Sequence, residues 1–212
     1  MKPILSAPML ATAMLALAGC NHPDAANEVN FRAALEKHLE AHGDLCIGRH
    51  IWPVDVPDAP VAGRLRDGIQ MPALELAGLV AHVNAEMKLH HRDGTDETVN
   101  ALRYNLTDKG RQFLNAQPRT AGRNSDAAQP DLCYGHVHLA KVAGWDMPHK
   151  SEDSPEHLVA TVRYTYTLEP ASWARNPAVQ GAFPILASVI KGSGSTELTQ
   201  VLVAAGDGWQ PL

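Results

Sequence analysis

Residues 157–169 read HLVATVRYTYTLE, and this stretch decides the fold class. Leu158, Ala160, Val162, Tyr164, Tyr166 and Leu168 recur at every second position. Thr161, Arg163, Thr165 and Thr167 fall between them, and Val159 is the apolar residue out of phase. Successive side chains of a strand point to opposite faces, so this period predicts a strand with one face on a core and one in solvent. Outward from it, LCYGHVHLAKVAGW (132–145) and TELTQVLVAA (196–205) read as two further strands, with GDG as a turn and Trp209 closing the sheet. Between them SWARNPAVQGAFPILASVIKG (172–192) predicts a short helix, with Asn176 as its cap and Pro177 in its first turn. KGSGS (191–195) is a loop. A helix lying on an antiparallel sheet is an α+β arrangement.

The first half is helical in character. In EVNFRAALEKHLEAHGD, Phe31, Leu35, Leu39 and His42 share one face with Val29 and Ala34 nearby, and Gly43 is placed to end the helix. WPVDVPDAPVAG (52–63) predicts an irregular surface loop. Pro72 is expected in the first turn of a helix running through ALELAGLVAHV. Two strands around a turn at Asp93–Gly94 follow, and then a helix DKGRQFLNA capped by Thr107. AQPRTAGRNSDAAQPD (116–131) is polar and proline-flanked, as a linker is. The expected division is a tether at 20–27, a first subdomain at 28–115, the linker at 116–131, and a mostly antiparallel β subdomain at 132–212.

LELAGLV and YNLTDKGRQFL resemble parts of a winged-helix domain, where Gly-Leu-Val leads into the wing and Leu-Thr-x-x-Gly-Arg leaves it; the resemblance covers residues 72–115. The second half resembles cystatin-like or NTF2-like cores. VRYTYTL through SWARNPAVQGAFP to GDGW also looks like uncharacterised proteobacterial lipoproteins, a likeness that transfers no activity.

The chain opens MKPILSAPMLATAMLALAGC. One positive charge at Lys2 precedes an uncharged run of about fifteen residues, shorter than the ~20 a spanning helix needs. Pro3 and Pro8 weaken a spanning helix further. Leu17-Ala18-Gly19-Cys20 resembles the lipobox of bacterial lipoproteins. That resemblance implies that residues 1–19 are a signal peptide, that Cys20 is lipidated, and that several acyl chains anchor the protein. Asn21 departs from the aspartate that resembles an inner-membrane retention signal. The outer membrane is therefore implied, with the protein facing the periplasm.

After removal of residues 1–19 the charge is 17 − 23 = −6, with histidines neutral. Phosphate recognition needs clustered Lys and Arg, so nucleic acid is not an expected partner. With Cys20 lipidated, Cys46 and Cys133 remain as an even pair in an oxidising compartment, and they are expected to form a disulfide. No CxxC spacing favours a redox or metal pair instead.

Eleven histidines are many for this length. HLEAH (38–42) differs from the zinc-protease motif because its acid, Glu40, lies roughly 200° around a helix from His38. His136 and His138 share a strand face and are the candidate metal ligands, whereas His90 and His91 point apart. A third ligand would have to come from His38, His42, His149 or His157, and none is fixed by spacing. Ser193 and Ser195 lack the context of a nucleophile elbow. Asp153 and Glu156 read as a solvated turn, and Gly192 and Gly194 do not make a phosphate loop. Trp145, Trp173, Trp209, Tyr164 and Tyr166 are expected in the core rather than around an apolar groove. No catalytic residue, no metal and no cofactor is expected. The reading is a lipid-anchored envelope protein, a non-catalytic binding or scaffold module with an envelope protein as partner. The alternative is a periplasmic metal-binding protein or hydrolase using clustered histidines.

Overall fold

Alternation and capping in the sequence become, in the computed structural model, an α+β fold of a curled antiparallel sheet with packed helices. The structure describes residues 22–117, 129–151 and 156–212, so Leu17–Cys20, Asn21 and Asp153 lie outside it. The elements are α1 (Glu28–His42), β1 (Asp44–Cys46), β2 (Val54–Pro57), α2 (Arg66–Leu76), β3 (Val80–His90), β4 (Asp96–Leu106), α3 (Asp108–Arg111), β5 (Leu114–Gln117), β6 (Gln129–Trp145), β7 (His149–Lys150), β8 (Leu158–Pro170), α4 (Pro177–Ala182), α5 (Pro184–Gly192), β9 (Glu197–Ala204) and β10 (Trp209–Pro211). Short 3₁₀ turns at Pro60–Arg64 and Ser172–Arg175 precede α2 and α4.

The larger sheet runs β1-β6-β8-β9-β10, with β5 on β6 and β7 on β8; the smaller runs β2-β4-β3. The stretch that decided the fold class is β8, paired with β6 on one side and β9 on the other. Ala160, Val162, Tyr164 and Tyr166 are buried as the alternation requires. Two positions depart from it. Thr165, expected in solvent, is 7% exposed, because Lys141 and Glu197 stand opposite it and long stems cover apolar and small neighbours. Leu158, expected inward, is exposed where β8 begins, while Val159 is buried between its partners His149 and Val203. Register shifts at Leu139/Lys141 and Val142/Gly144 mark bulges in β6, which bend a strand and increase its twist.

One core lies under α1. Phe31 and Leu35 are fully buried against Val137, Ala160, Val162 and Leu202, and Phe31 sits 5.2 Å from the Trp145 ring and 4.8 Å from that of Trp209. Asn27 Oδ1 accepts from the Asn30 N–H at 2.9 Å and caps the helix start; Gly43 caps its end. His42 and Val29, expected on the buried face, are both exposed, so the apolar stripe is narrower than the sequence implied. Thus the helix across this face of the large sheet comes from the start of the chain, not from residues 172–192.

The other core joins α2, the small sheet, β6 and α4–α5, with Met71, Leu74, Leu79, Leu132, Ala174 and Val179 all fully shielded. It draws residues from both sides of the expected linker. Of that linker, residues 116–117 pair with 130–129 in the β5–β6 ladder, and residues 118–128 lie outside the described residues.

Four local expectations need correction. Helix α2 begins at Arg66, so Pro72 is interior rather than in the first turn. That costs one backbone hydrogen bond, offset by burial of Met71, Ala73 and Leu74. Gly78, at φ +76, then turns the chain out of the helix, and Val80 onward is strand rather than helix. Residues 52–63 are not all loop: β2 pairs with β4 because Val54 and Val56 find a core, and Pro57 at its end is tolerated on an edge strand. Thr107 does cap, accepting from the Gly110 N–H at 3.0 Å, but α3 stops at Arg111 because Leu114 is drawn into register with Leu132. The short helix expected in 172–192 is α4, with Asn176 Oδ1 accepting from the Ala178 N–H at 2.9 Å as its cap and Pro177 in its first turn; a 3₁₀ turn precedes it and a second helix, α5, follows from Pro184.

Candidate functional site

Strand register brings Asp44, His136 and Glu169 into one row across β1, β6 and β8. His136 Nδ1 lies 2.7 Å from Asp44 Oδ1, and Asn115 Nδ2 donates to Asp44 Oδ2 at 2.7 Å. A carboxylate at Nδ1 sets the tautomer with the proton there, leaving Nε2 as the acceptor. The His138 ring centroid is 4.8 Å from that of His136, so the two candidate ligands do share a face. Of the candidate third ligands, His38 and His42 lie side by side on α1 with ring centroids 5.0 Å apart and planes tilted by 45°, His149 lies in β7 opposite Val159, and His157 is 3.7 Å from Glu156. Among the described residues, no group of three or more His, Cys, Asp and Glu side chains is arranged to hold a metal ion.

Three histidines of the β3–β4 hairpin lie against carboxylates of α2 and β4. His82 Nδ1 lies 2.8 Å from Glu75, His91 Nε2 3.0 Å from Glu97, and His90 contacts Asp96. His38 lines a hollow between α1 and β10 together with Lys37 and Trp209. Burial, and then the charge of His42, hold its imidazole below the usual 6.5. Ser193 Oγ accepts from the Leu168 N–H at 2.9 Å, and Ser195 Oγ donates to the Gly192 carbonyl at 3.2 Å, tying the loop after α5 to β8 and to its own turn.

Cys46 and Cys133 stand opposite each other across the β1–β6 ladder and are bonded through their sulfurs. The next turn is fixed by Asp131, 3% exposed, whose two oxygens accept the Gly48 N–H at 2.8 Å and the Arg49 N–H at 2.9 Å. Beside this bond opens a cleft of about 450 Å³ between α2 and α4–α5. Ile47, Tyr134, Phe183 and Leu186 line it, each at most 9% exposed. Ile69 and Ile185 stand at its mouth, 46% and 78% exposed. Arg66 is fixed there too: its Nε donates to Gln70 Oε1 at 3.1 Å and its Nη2 to the Ile47 carbonyl at 3.2 Å.

This cleft was not foreseen from the sequence. The signal for it lay in PILASVIKG, a helix apolar on more faces than one core can cover: Leu186 is buried and Ile185, one residue earlier, is not. The alternative to core packing for the large aromatic residues is an apolar groove between helix and sheet. Trp173, Trp209, Tyr164 and Tyr166 are buried, Trp145 caps Phe31 at the surface, and of the three tryptophans Trp209 also lines the hollow between α1 and β10. No family model, curated protein or solved structure matches this chain.

Proposed function

We propose that this chain is a lipid-anchored protein of the cell envelope, held through Cys20 in the outer membrane and facing the periplasm, and that it binds a protein partner without catalysing a reaction. The observation that carries the binding reading is the open apolar cleft with Ile69 and Ile185 at its mouth. Its volume is that of a site for a ligand or peptide side chains. Exposed large apolar side chains around a concave surface mark interaction sites more often than inert surface. Arg66, held at the rim, favours a partner segment that carries a carboxylate next to its apolar anchor. The anchor rests on Leu17-Ala18-Gly19-Cys20 and the uncharged run before it. In fold terms we infer a cystatin-like or NTF2-like core for α1 on the curled sheet. For α2 and the β3–β4 hairpin we infer a winged-helix-like unit used as a scaffold.

The test is a photo-crosslinking side chain at Ile185 in intact envelopes, with Thr199 on the polar face of β9 as the control position. The proposal expects a discrete protein adduct from position 185, lost on Ile69→Glu. No adduct, or the same adducts from both positions, contradicts it.

One observation favours a second reading. Asp44 orients His136 as second-sphere carboxylates orient metal-ligating imidazoles, and His138 lies beside it. That reading requires a further ligand from a bound molecule or a partner.

A further inference from the structure

The β3–β4 hairpin carries an open edge. β3 is the outer strand of the small sheet, paired only with β4. The direction of its backbone groups follows from the ends of the ladder. The Leu79 carbonyl accepts from Thr107 N–H at 3.0 Å, and His91 N–H donates to the Thr95 carbonyl at 2.9 Å. Odd-numbered residues of β3 therefore turn N–H and C=O toward β4, and even-numbered residues turn theirs outward. At His82 the outward N–H is taken by Glu75 Oε1, at 3.0 Å. Asn84, Glu86, Lys88 and His90 follow along the free edge, and all four are exposed.

Side chains along this edge have a two-fold pattern. Glu86 and Lys88 flank Met87 on one face of the ribbon, and their β4 partners are the uncharged Asn100 and Thr98. Among the described residues, neither charge appears in an ion pair. On the opposite face Ala85, Met87 and Leu89 form a half-buried apolar stripe, continued by Val99 opposite Met87.

We propose that β3 pairs antiparallel with β3 of a second copy of this chain, on a two-fold axis at Met87. Glu86 then faces Lys88 of the other copy, twice. Asn84 faces His90, Ala85 faces Leu89, and Met87 meets its own counterpart. The register satisfies the outward backbone groups, because Asn84, Glu86, Lys88 and His90 pair among themselves with about eight hydrogen bonds, two at each such pair. A centre at Glu86 would also pair the outward backbone groups, but it sets Glu86 against its own counterpart, two like charges at the axis, and leaves Lys88 facing Asn84. The Glu-Met-Lys arrangement on an open strand edge is the reason for choosing a second copy over another partner.

The register predicts one covalent outcome. Met87 and its counterpart form a non-hydrogen-bonded pair with α-carbons about 4.5 Å apart, within disulfide range. Met87→Cys in the full-length protein, oxidised in intact envelopes, gives a disulfide-linked dimer. Ala85→Cys alone does not, since its two copies lie four residues out of register, about 13 Å apart along the strands. Glu86→Lys sets like charges opposite each other twice and lowers the Met87→Cys dimer yield about tenfold. Adding Lys88→Glu to that variant restores it. A second measurement needs no cysteine: sedimentation of the unmodified full-length protein in detergent gives a dimer, and of the Glu86→Lys protein a monomer. No dimer from Met87→Cys, equal dimer from Ala85→Cys, no rescue by the charge swap, or an unmodified protein that sediments as a monomer overturns the proposal.

Discussion

Cys46 stands directly across the β1–β6 ladder from Cys133, with α-carbons 3.8 Å apart and the sulfurs joined. The bond closes a separation of 87 residues that contains α2 and the whole small sheet. The chain-entropy model assigns such a loop about 4.5 kcal/mol, and measured bridges typically give about 2–4. Replacing both cysteines with serine is expected to lower the unfolding free energy by that measured range in urea titrations. Non-reducing peptide mapping of protein taken from envelopes is expected to recover the two cysteine peptides linked; two free thiols contradict this.

Phe31 is wedged between Trp145 and Trp209 and is fully buried. Phe31→Ala removes the ring that fastens α1 to the sheet. Large-to-small core changes of this kind cost about 3–5 kcal/mol. Thermal unfolding followed by tryptophan fluorescence checks it, and a change below about 1 kcal/mol means that α1 is not docked as described.

Strands were the most legible part of the sequence, because period two survives wherever one face is wet. Tyr164 and Tyr166 followed it, whereas Thr165 did not, since only its neighbours Lys141 and Glu197 in other strands bury it. Pro72 misled because a proline's cost in a helix interior is a local quantity, and burial of Met71 and Leu74 is a tertiary one. β2 was hidden by the prolines in and beside it for the same reason. The His136–His138 pair was legible from spacing alone. Asp44, 92 residues away in sequence, was not, and neither was the Ile69–Ile185 cleft, whose walls meet only in the fold.

Arg103 donates from Nε and Nη2 to the two oxygens of Asp55, at 2.7 Å each. This hydrogen bonding, followed by the attraction of the charge, holds the Asp55 carboxyl below its ordinary 3.8. A carboxyl lowered in the native state stabilises fully above its unfolded value and loses that contribution as pH falls through the native one. Arg103→Gln is therefore expected to destabilise modestly at neutral pH, with the difference vanishing in acid. An NMR titration of Asp55 checks it: the midpoint rises toward 3.8 in the variant, and an unmoved midpoint contradicts the pairing.

Zinc is expected to bind weakly at neutral pH, with no change on replacing His136 and His138 by alanine. Calorimetry decides between the two functional readings. Tight one-to-one binding that those substitutions abolish, with protons released as the metal binds, favours the metal-binding alternative.

The mass of the amino-terminal peptide from the membrane fraction tests the proposed anchor at Cys20 most directly. A mature chain that begins at Cys20 and carries acyl groups, recovered with the outer membrane, is expected. An unacylated amino terminus, or a chain that retains residues 1–19, contradicts it.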